Sequence, residues 1–128
     1  MNSYETYLQE PNILTIEDAM KIYNEMKASL AQCTIDGKEE IIKPLIESAC
    51  YYANIRSSWE YMTREEKIKD DDSRTAAHNA FIRNIDIAAR MVGNEGLDTE
   101  WKNKLGSDRK RIGDFACYIS WVTAINNR

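Results

Sequence analysis

The segment from Arg74 to Val92, RTAAHNAFIRNIDIAARMV, puts two polar side chains where a helix needs apolar ones. Read at helical period, Ala77, Phe81, Ile82, Ile85, Ala88, Ala89 and Val92 form one apolar face, and Arg74 and His78 lie within it. A cation taken out of water without a partner costs several kcal/mol or gives up its proton. A carboxylate from elsewhere in the chain must therefore come to meet them, which ties this helix to another element. We expect Arg74 and His78 to be largely buried, with at least one of them bonded to Asp114 or Asp108.

A chain of 128 residues can bury a core without disulfides or a structural metal, and one domain is the expectation. Five Gly and two Pro are few turn formers, so the pattern favours helices with few connections over an all-β fold. Apolar runs are only a few residues long and predict no membrane span. The start MNSYETY has neither the basic nor the apolar region of a secretory leader, which predicts a cytoplasmic protein. Cys33, Cys50 and Cys117, widely spaced and odd in number, read as reduced thiols packed as small hydrophobes.

An N-terminal arm and five helical elements follow from periodicity and punctuation. Residues 1 to 14 read as an extended arm broken by Pro11, with Tyr4, Tyr7 and Leu8 available for packing. The first helix begins after Thr15, a cap to which Asp18 replies, and ends near Gln32. The second carries Leu45, Ala49, Tyr52, Ile55, Trp59 and Met62 on one stripe and runs to about Lys67, with residues 38 to 43 as a separate turn before Pro44. Asp70, Asp71, Asp72 and Ser73 suit the positive end of a third helix, Ser73 to Val92, which Gly93 stops. On its outer face Asp86 is spaced to bridge Arg83 and Arg90. A short helical turn over 98 to 105, anchored by Trp101 and Leu105, leads to a fourth main helix from Ser107 or Asp108. The expected fold is an all-α, single-domain bundle of four main helices.

That last helix is apolar on two sides. Ile112, Phe115, Ala116, Ile119 and Val122 fill one face, and Tyr118, Trp121 and Ile125 the other. Such a helix is either central in its domain or shared with an oligomer interface. We expect a homodimer formed through Tyr118, Trp121 and Ile125, with the N-terminal arm as the alternative cover.

Candidate chemistry centres on Arg74, His78, Asp108, Arg109 and Asp114. As structure, these residues form a buried network that fixes helix docking. As function, His78 is a general base or acid tuned by Asp114, with Arg74 or Arg109 holding an anionic substrate. A second candidate is Arg109, Lys110 and Arg111 at a helix start, an anion site or solvated basic residues. Residues 98 to 128 carry six basic against four acidic side chains, while the whole chain has a net charge of −4, which disfavours a dedicated nucleic-acid binder. Tyr52, Trp59 and Met62 line either core or pocket, with Arg56 against an aromatic face. One histidine and three scattered cysteines do not make a zinc set, and the aspartate run lacks the alternation of a calcium loop, so no metal or cofactor is expected.

The stretch RTAAHNAFI at 74 to 82, then Gly96-Leu97, then DRKRIGDFA at 108 to 116, resembles a family of short bacterial and phage-type helical proteins known only as a domain of unknown function. The matched positions are Arg74, His78, Asn79, Asp108, Arg109, Asp114 and Phe115, roughly in the second half of the chain. The resemblance implies an all-helical fold and the importance of this cluster, but no activity. Gly113 departs from the family's alanine and permits closer backbone approach. The Arg74-x-x-x-His78 spacing is also similar to that of helical ribonucleases that separate an Arg and a His by four to six residues on one helix. It is one residue short, and the activity does not carry over. The function expected is a non-enzymatic interaction or regulatory module with an unidentified protein partner. The alternatives are a small hydrolase or nuclease using His78 with Arg74 and Arg109, and anion or nucleic-acid binding through 102 to 111.

Overall fold

Two threonine caps and three glycines of positive φ set the boundaries of most of the helices in the computed structural model, which describes residues 14–59 and 61–126. Helix α1 spans Ile16–Gln32, α2 Glu39–Trp59, α3 Arg64–Asn94, α4 Glu100–Leu105 and α5 Arg109–Asn126. The fold is an all-α bundle of four main helices and one short one, with no strand among the described residues. Thr15 caps α1 by accepting the Asp18 N–H at 3.1 Å, as its sequence predicts. Of the expected N-terminal arm, residues 1 to 13 lie outside the described residues, and Leu14 is buried.

Helix α2 differs from expectation at both ends. It is one helix from Glu39, with Pro44 inside it, rather than a separate turn followed by a helix. Pro44 is only the sixth residue, so it forfeits one backbone bond, to the Glu40 carbonyl in the first turn. Asn84 of α3 reinforces the same place by donating to Pro44 O at 3.2 Å and to Ser48 Oγ at 2.9 Å. The helix stops at Trp59, because the chain restarts at Thr63: its hydroxyl accepts the Glu66 N–H at 3.1 Å and Glu66 Oε1 accepts the Thr63 N–H at 3.2 Å. Residues 70 to 73 are thus interior to α3 and not its cap. Gly93 is helical and does not stop α3, and the left-handed residue is Gly96, at φ 72°.

The largest unexposed side chains are Trp101, Tyr52, Phe81, Phe115, Met26 and Leu45. Helix α5 is the centre: Ile112 to Ser120 are buried without a break. It packs on α2, which packs in turn on α3, while α1 covers α5 and α4. Phe115 meets Phe81 of α3 and Tyr23 of α1, each with ring centroids 6.3 Å apart. No helix of the described residues is long and apolar enough to cross a membrane.

Candidate functional site

Three helices each contribute one arginine to the surroundings of His78, and helical spacing explains how. On α3, Arg74 and His78 are one turn apart on one face. On α2, Tyr52, Arg56 and Trp59 make the facing stripe: the Tyr52 ring meets His78 edge to face at 5.4 Å, and Arg56 lies over Tyr52 at 5.8 Å. Arg74 lies over Trp59 at 4.4 Å. On α5, Gly113 leaves the space that Arg56 uses, since a Cβ there would overlap the Nε, Cζ and Cδ of the guanidinium. Arg109 stands one turn before Gly113 on the same helix.

The chemistry differs from the carboxylate-matched network that the sequence predicts. Arg74 is half-buried, and its ion pair goes to Asp71 in its own helix, at 3.0 Å, not to Asp114 or Asp108. His78 is also half-buried, with Nδ1 3.4 Å from Asn79 Oδ1 and no carboxylate partner among the described residues. His78 Nε2 and Arg74 Nε are shielded from solvent and bonded to nothing among the described residues. Desolvation pushes the imidazole below its ordinary value, helped by the charges of Arg109, Arg56 and Arg74. The ring is therefore neutral near pH 7 and surrounded by cations.

Asp114 is buried, 3% exposed, and its Oδ2 accepts the Leu14 N–H at 3.0 Å. It fastens the segment before α1 to α5. Asp108 is exposed and its Oδ1 accepts the N–H groups of Lys110 and Arg111, at 2.9 and 3.2 Å, which is the work of a helix cap. Of the expected pairings, neither Arg74 nor His78 bonds Asp108 or Asp114: Arg74 pairs with Asp71, Asp108 caps α5, and Asp114 has the Leu14 N–H among its contacts.

The basic run from 102 to 111 is mostly committed. Lys102 pairs with Asp86 at 2.8 Å, in place of the expected Asp86 bridges to Arg83 and Arg90, and Lys104 pairs with Glu25 at 2.7 Å. Arg111 closes the end of α4, donating from Nε to Leu105 O at 2.9 Å and from Nη2 to Lys104 O at 2.7 Å. Arg109 and Lys110 are exposed and make no ion pair among the described residues. Of the expected interface residues, Tyr118 is buried against Tyr23 at 5.8 Å, Trp121 is half-buried, and Ile125 is exposed.

Sequence reasoning missed Arg56 as a member of the cluster. Its signal was Gly113, the one residue without a side chain in an otherwise bulky helix. It also missed Glu95, just past α3, whose carboxylate accepts from Thr34 N, Thr34 Oγ1, Ile35 N and Cys33 Sγ. Those donors hold Glu95 down to about 2 and fasten the end of α1 to the end of α3. Beside it lies an open groove of 530 Å³ among Ile35, Ile41, Ile87 and Met91. A second, of 570 Å³, runs along α1 and includes the already paired Lys104 and Arg111. Neither groove includes His78. No family model, curated protein or solved structure matches this chain.

Proposed function

We propose that this chain is a non-enzymatic recognition module that receives an anionic group of its partner between Arg74, Arg109 and His78. The observation that carries this reading is that Arg56, Arg74 and Arg109, one from each of three helices, stand near a half-buried imidazole that bonds no carboxylate among the described residues. Guanidinium groups are the side chains best matched to planar, multidentate recognition of oxyanions. Tyr52 and Trp59 lie against Arg56 and Arg74 with their ring faces, which helps to fix the positions of both guanidiniums.

Recognition is preferred to hydrolysis on chemical grounds. His78 lacks a carboxylate to orient it among the described residues, and the Cys117 thiol is pushed up to about 12, chiefly by burial. Titration of isotopically labelled protein with sulfate at constant ionic strength tests the reading. The Nε–H signals of Arg74 and Arg109 shift saturably, and Arg109→Gln weakens binding about tenfold, the worth of one charge-assisted hydrogen bond. Arginine signals indifferent to sulfate would overturn it.

Self-association through the free side of α5 is part of the proposal. Half-buried Trp121 and Ile125, 37% exposed, are the residues left for a second copy once Tyr118 is covered by Tyr23. Sedimentation at micromolar concentration should show a dimer that Ile125→Asp dissociates, and a monomer would refute it. Three free thiols, Cys33, Cys50 and Cys117, support a reducing, cytoplasmic setting.

A further inference from the structure

We propose that the groove between the start of α2 and the end of α3 binds a single-chain fatty carboxylate, with its alkyl chain on Ile35, Ile41, Ile87 and Met91 and its head group on Arg90. The groove shares no residue with the cluster around His78, so this inference stands apart from the reading above. Ile87 and Met91 lie one turn apart on α3, and with Ile41 of α2 and Ile35 of the connection before it they line an open space of 530 Å³. That size falls in the range of small-molecule sites. A helix is about 10 Å across and rises about 5.4 Å per turn, so the same space holds little more than one turn of a protein partner. A single alkyl chain is the better match.

The groove is built before anything enters it. On one side Asn84 fastens α3 to α2 through Pro44 O and Ser48 Oγ. On the other, Glu95 accepts from Cys33, Thr34 and Ile35 and holds their connection against the end of α3. Lys38 ties the same connection back to α1 by donating to the Leu30, Ala31 and Cys33 carbonyls. These bonds fix a loop that nevertheless leaves Ile35 53% exposed, in a groove where Ile87 is 38% exposed. Apolar surface gathered in one exposed place marks a binding site, and fixing it in advance lowers the cost of binding.

Charge decides the head group. Arg90 lines the groove, is exposed, and makes no ion pair or hydrogen bond among the described residues. Both oxygens of Glu95, the carboxylate of the lining, already accept from the connection. Arg90 is thus the charged group left to take a ligand, and its planar fork matches a carboxylate. The net charge of −4 on the chain opposes adsorption on an anionic bilayer, so the ligand is the free amphiphile in solution.

Dodecanoate, kept below its micelle-forming concentration, is the probe, and NMR of protein labelled at the isoleucine and methionine methyls is the readout. The signals of Ile35, Ile41, Ile87 and Met91 should shift together and saturably, while exposed Ile68, about 28 Å away along α3, stays still. Arg90→Gln should weaken binding about tenfold, the worth of one charge-assisted hydrogen bond, and Ile87→Asp at least as much. Both side chains are exposed, so both variants keep the fold. Dodecyltrimethylammonium, the same chain length with a cationic head, should bind at least tenfold more weakly. Equal binding of the two amphiphiles overturns the proposal, as do shifts at Ile68 equal to those in the groove. Groove signals that move with protein concentration alone assign the surface to a second copy, and signals that answer only phosphatidylglycerol vesicles assign it to a membrane; either result also overturns it. The sulfate response of Arg74 and Arg109 is read separately, so failure here leaves the recognition reading untouched.

Discussion

Two polar clusters depend on α3, one at Glu95 just past its end and one at Arg74 and His78 within it, and they are built on opposite principles. Glu95 is an anion matched by donors from Cys33, Thr34 and Ile35. Everything around it favours its charge, and its carboxyl is held down to about 2. His78 is a base whose charge is opposed first by desolvation and then by Arg109, Arg56 and Arg74, with only the Asn79 side chain favouring it. The first arrangement is complete in itself and fastens α1 to α3. The second keeps His78 Nε2 shielded and bonded to nothing among the described residues, and buried polar atoms left unmatched usually have a reason to be so. Polarity at Glu95 is matched and joins two helix ends, whereas at His78 the surroundings on balance work against a charge.

The comparison breaks most visibly if the two ends do not differ in stability. Trp101, unexposed and donating from Nε1 to Asp98 O at 3.0 Å, belongs to the Glu95 side of the bundle, where Ser29 also donates to Asp98 O at 2.7 Å. Trp101→Ala should cost about 3–5 kcal/mol in chemical denaturation. Asp114→Ala, which strands the buried Leu14 N–H, should cost about 1–3 kcal/mol, and Asp114→Asn less, since it keeps an acceptor. Arg109→Gln should stay within about 0.5 kcal/mol of wild type, because Arg109 is exposed and has no ion pair among the described residues to lose.

Acid sharpens the comparison, because both groups have lowered values but opposite charge types. Glu95 is ordinarily near 4.5, so its contribution is present above that value and is lost as pH falls toward about 2. Glu95→Gln should lower the melting temperature at neutral pH and remove this low-pH limb. His78 is depressed below 6.5, so as pH falls through 6.5 the unfolded chain takes up a proton that the native chain refuses. Stability therefore declines below 6.5 until the native imidazole also titrates, and His78→Gln should lack that decline. Equal acid limbs in wild type and both variants would dissolve the distinction between the clusters. The smallest effect is expected at Gly113. Replacing a helical glycine by alanine normally gains about 1 kcal/mol, but here the new Cβ displaces the Arg56 guanidinium, so Gly113→Ala should show little or no gain in a thermal melt.

The fold class was legible in the sequence because periodicity and the scarcity of Gly and Pro speak directly to it. The Thr15 cap and the short α4 followed from residues whose effect is local, while the two apolar faces of α5 left a central place in the domain and an oligomer interface as alternatives. The misplaced boundaries share a cause. At Thr63 a four-residue capping box outweighed the aspartates at 70 to 72, which the helix tolerates because they stay in solvent. Pro44 was absorbed because it falls early in α2, where one lost bond is cheap and Asn84 lends support. For the site, spacing on α3 correctly joined Arg74 to His78, and spacing on α5 left Arg109 within reach. The partner was misread, since the sequence shows that a buried cation needs an answer but not which side chain supplies it. Arg74 found Asp71 one turn away, a short-range solution that made a distant carboxylate unnecessary. Glu95 gave no signal at all, because its four donors come from a loop about sixty residues earlier.

The most direct test is the titration midpoint of His78 in the unliganded protein, compared between the wild-type chain and Arg109→Gln. A half-buried ring near Arg109, Arg56 and Arg74, with no carboxylate partner among the described residues, should titrate below 6.5, chiefly through desolvation, and removing Arg109 should raise the midpoint. A wild-type midpoint above 6.5 that Arg109→Gln leaves unmoved would show a carboxylate holding the imidazolium, and the cluster would then be a completed structural network with no place for an anion.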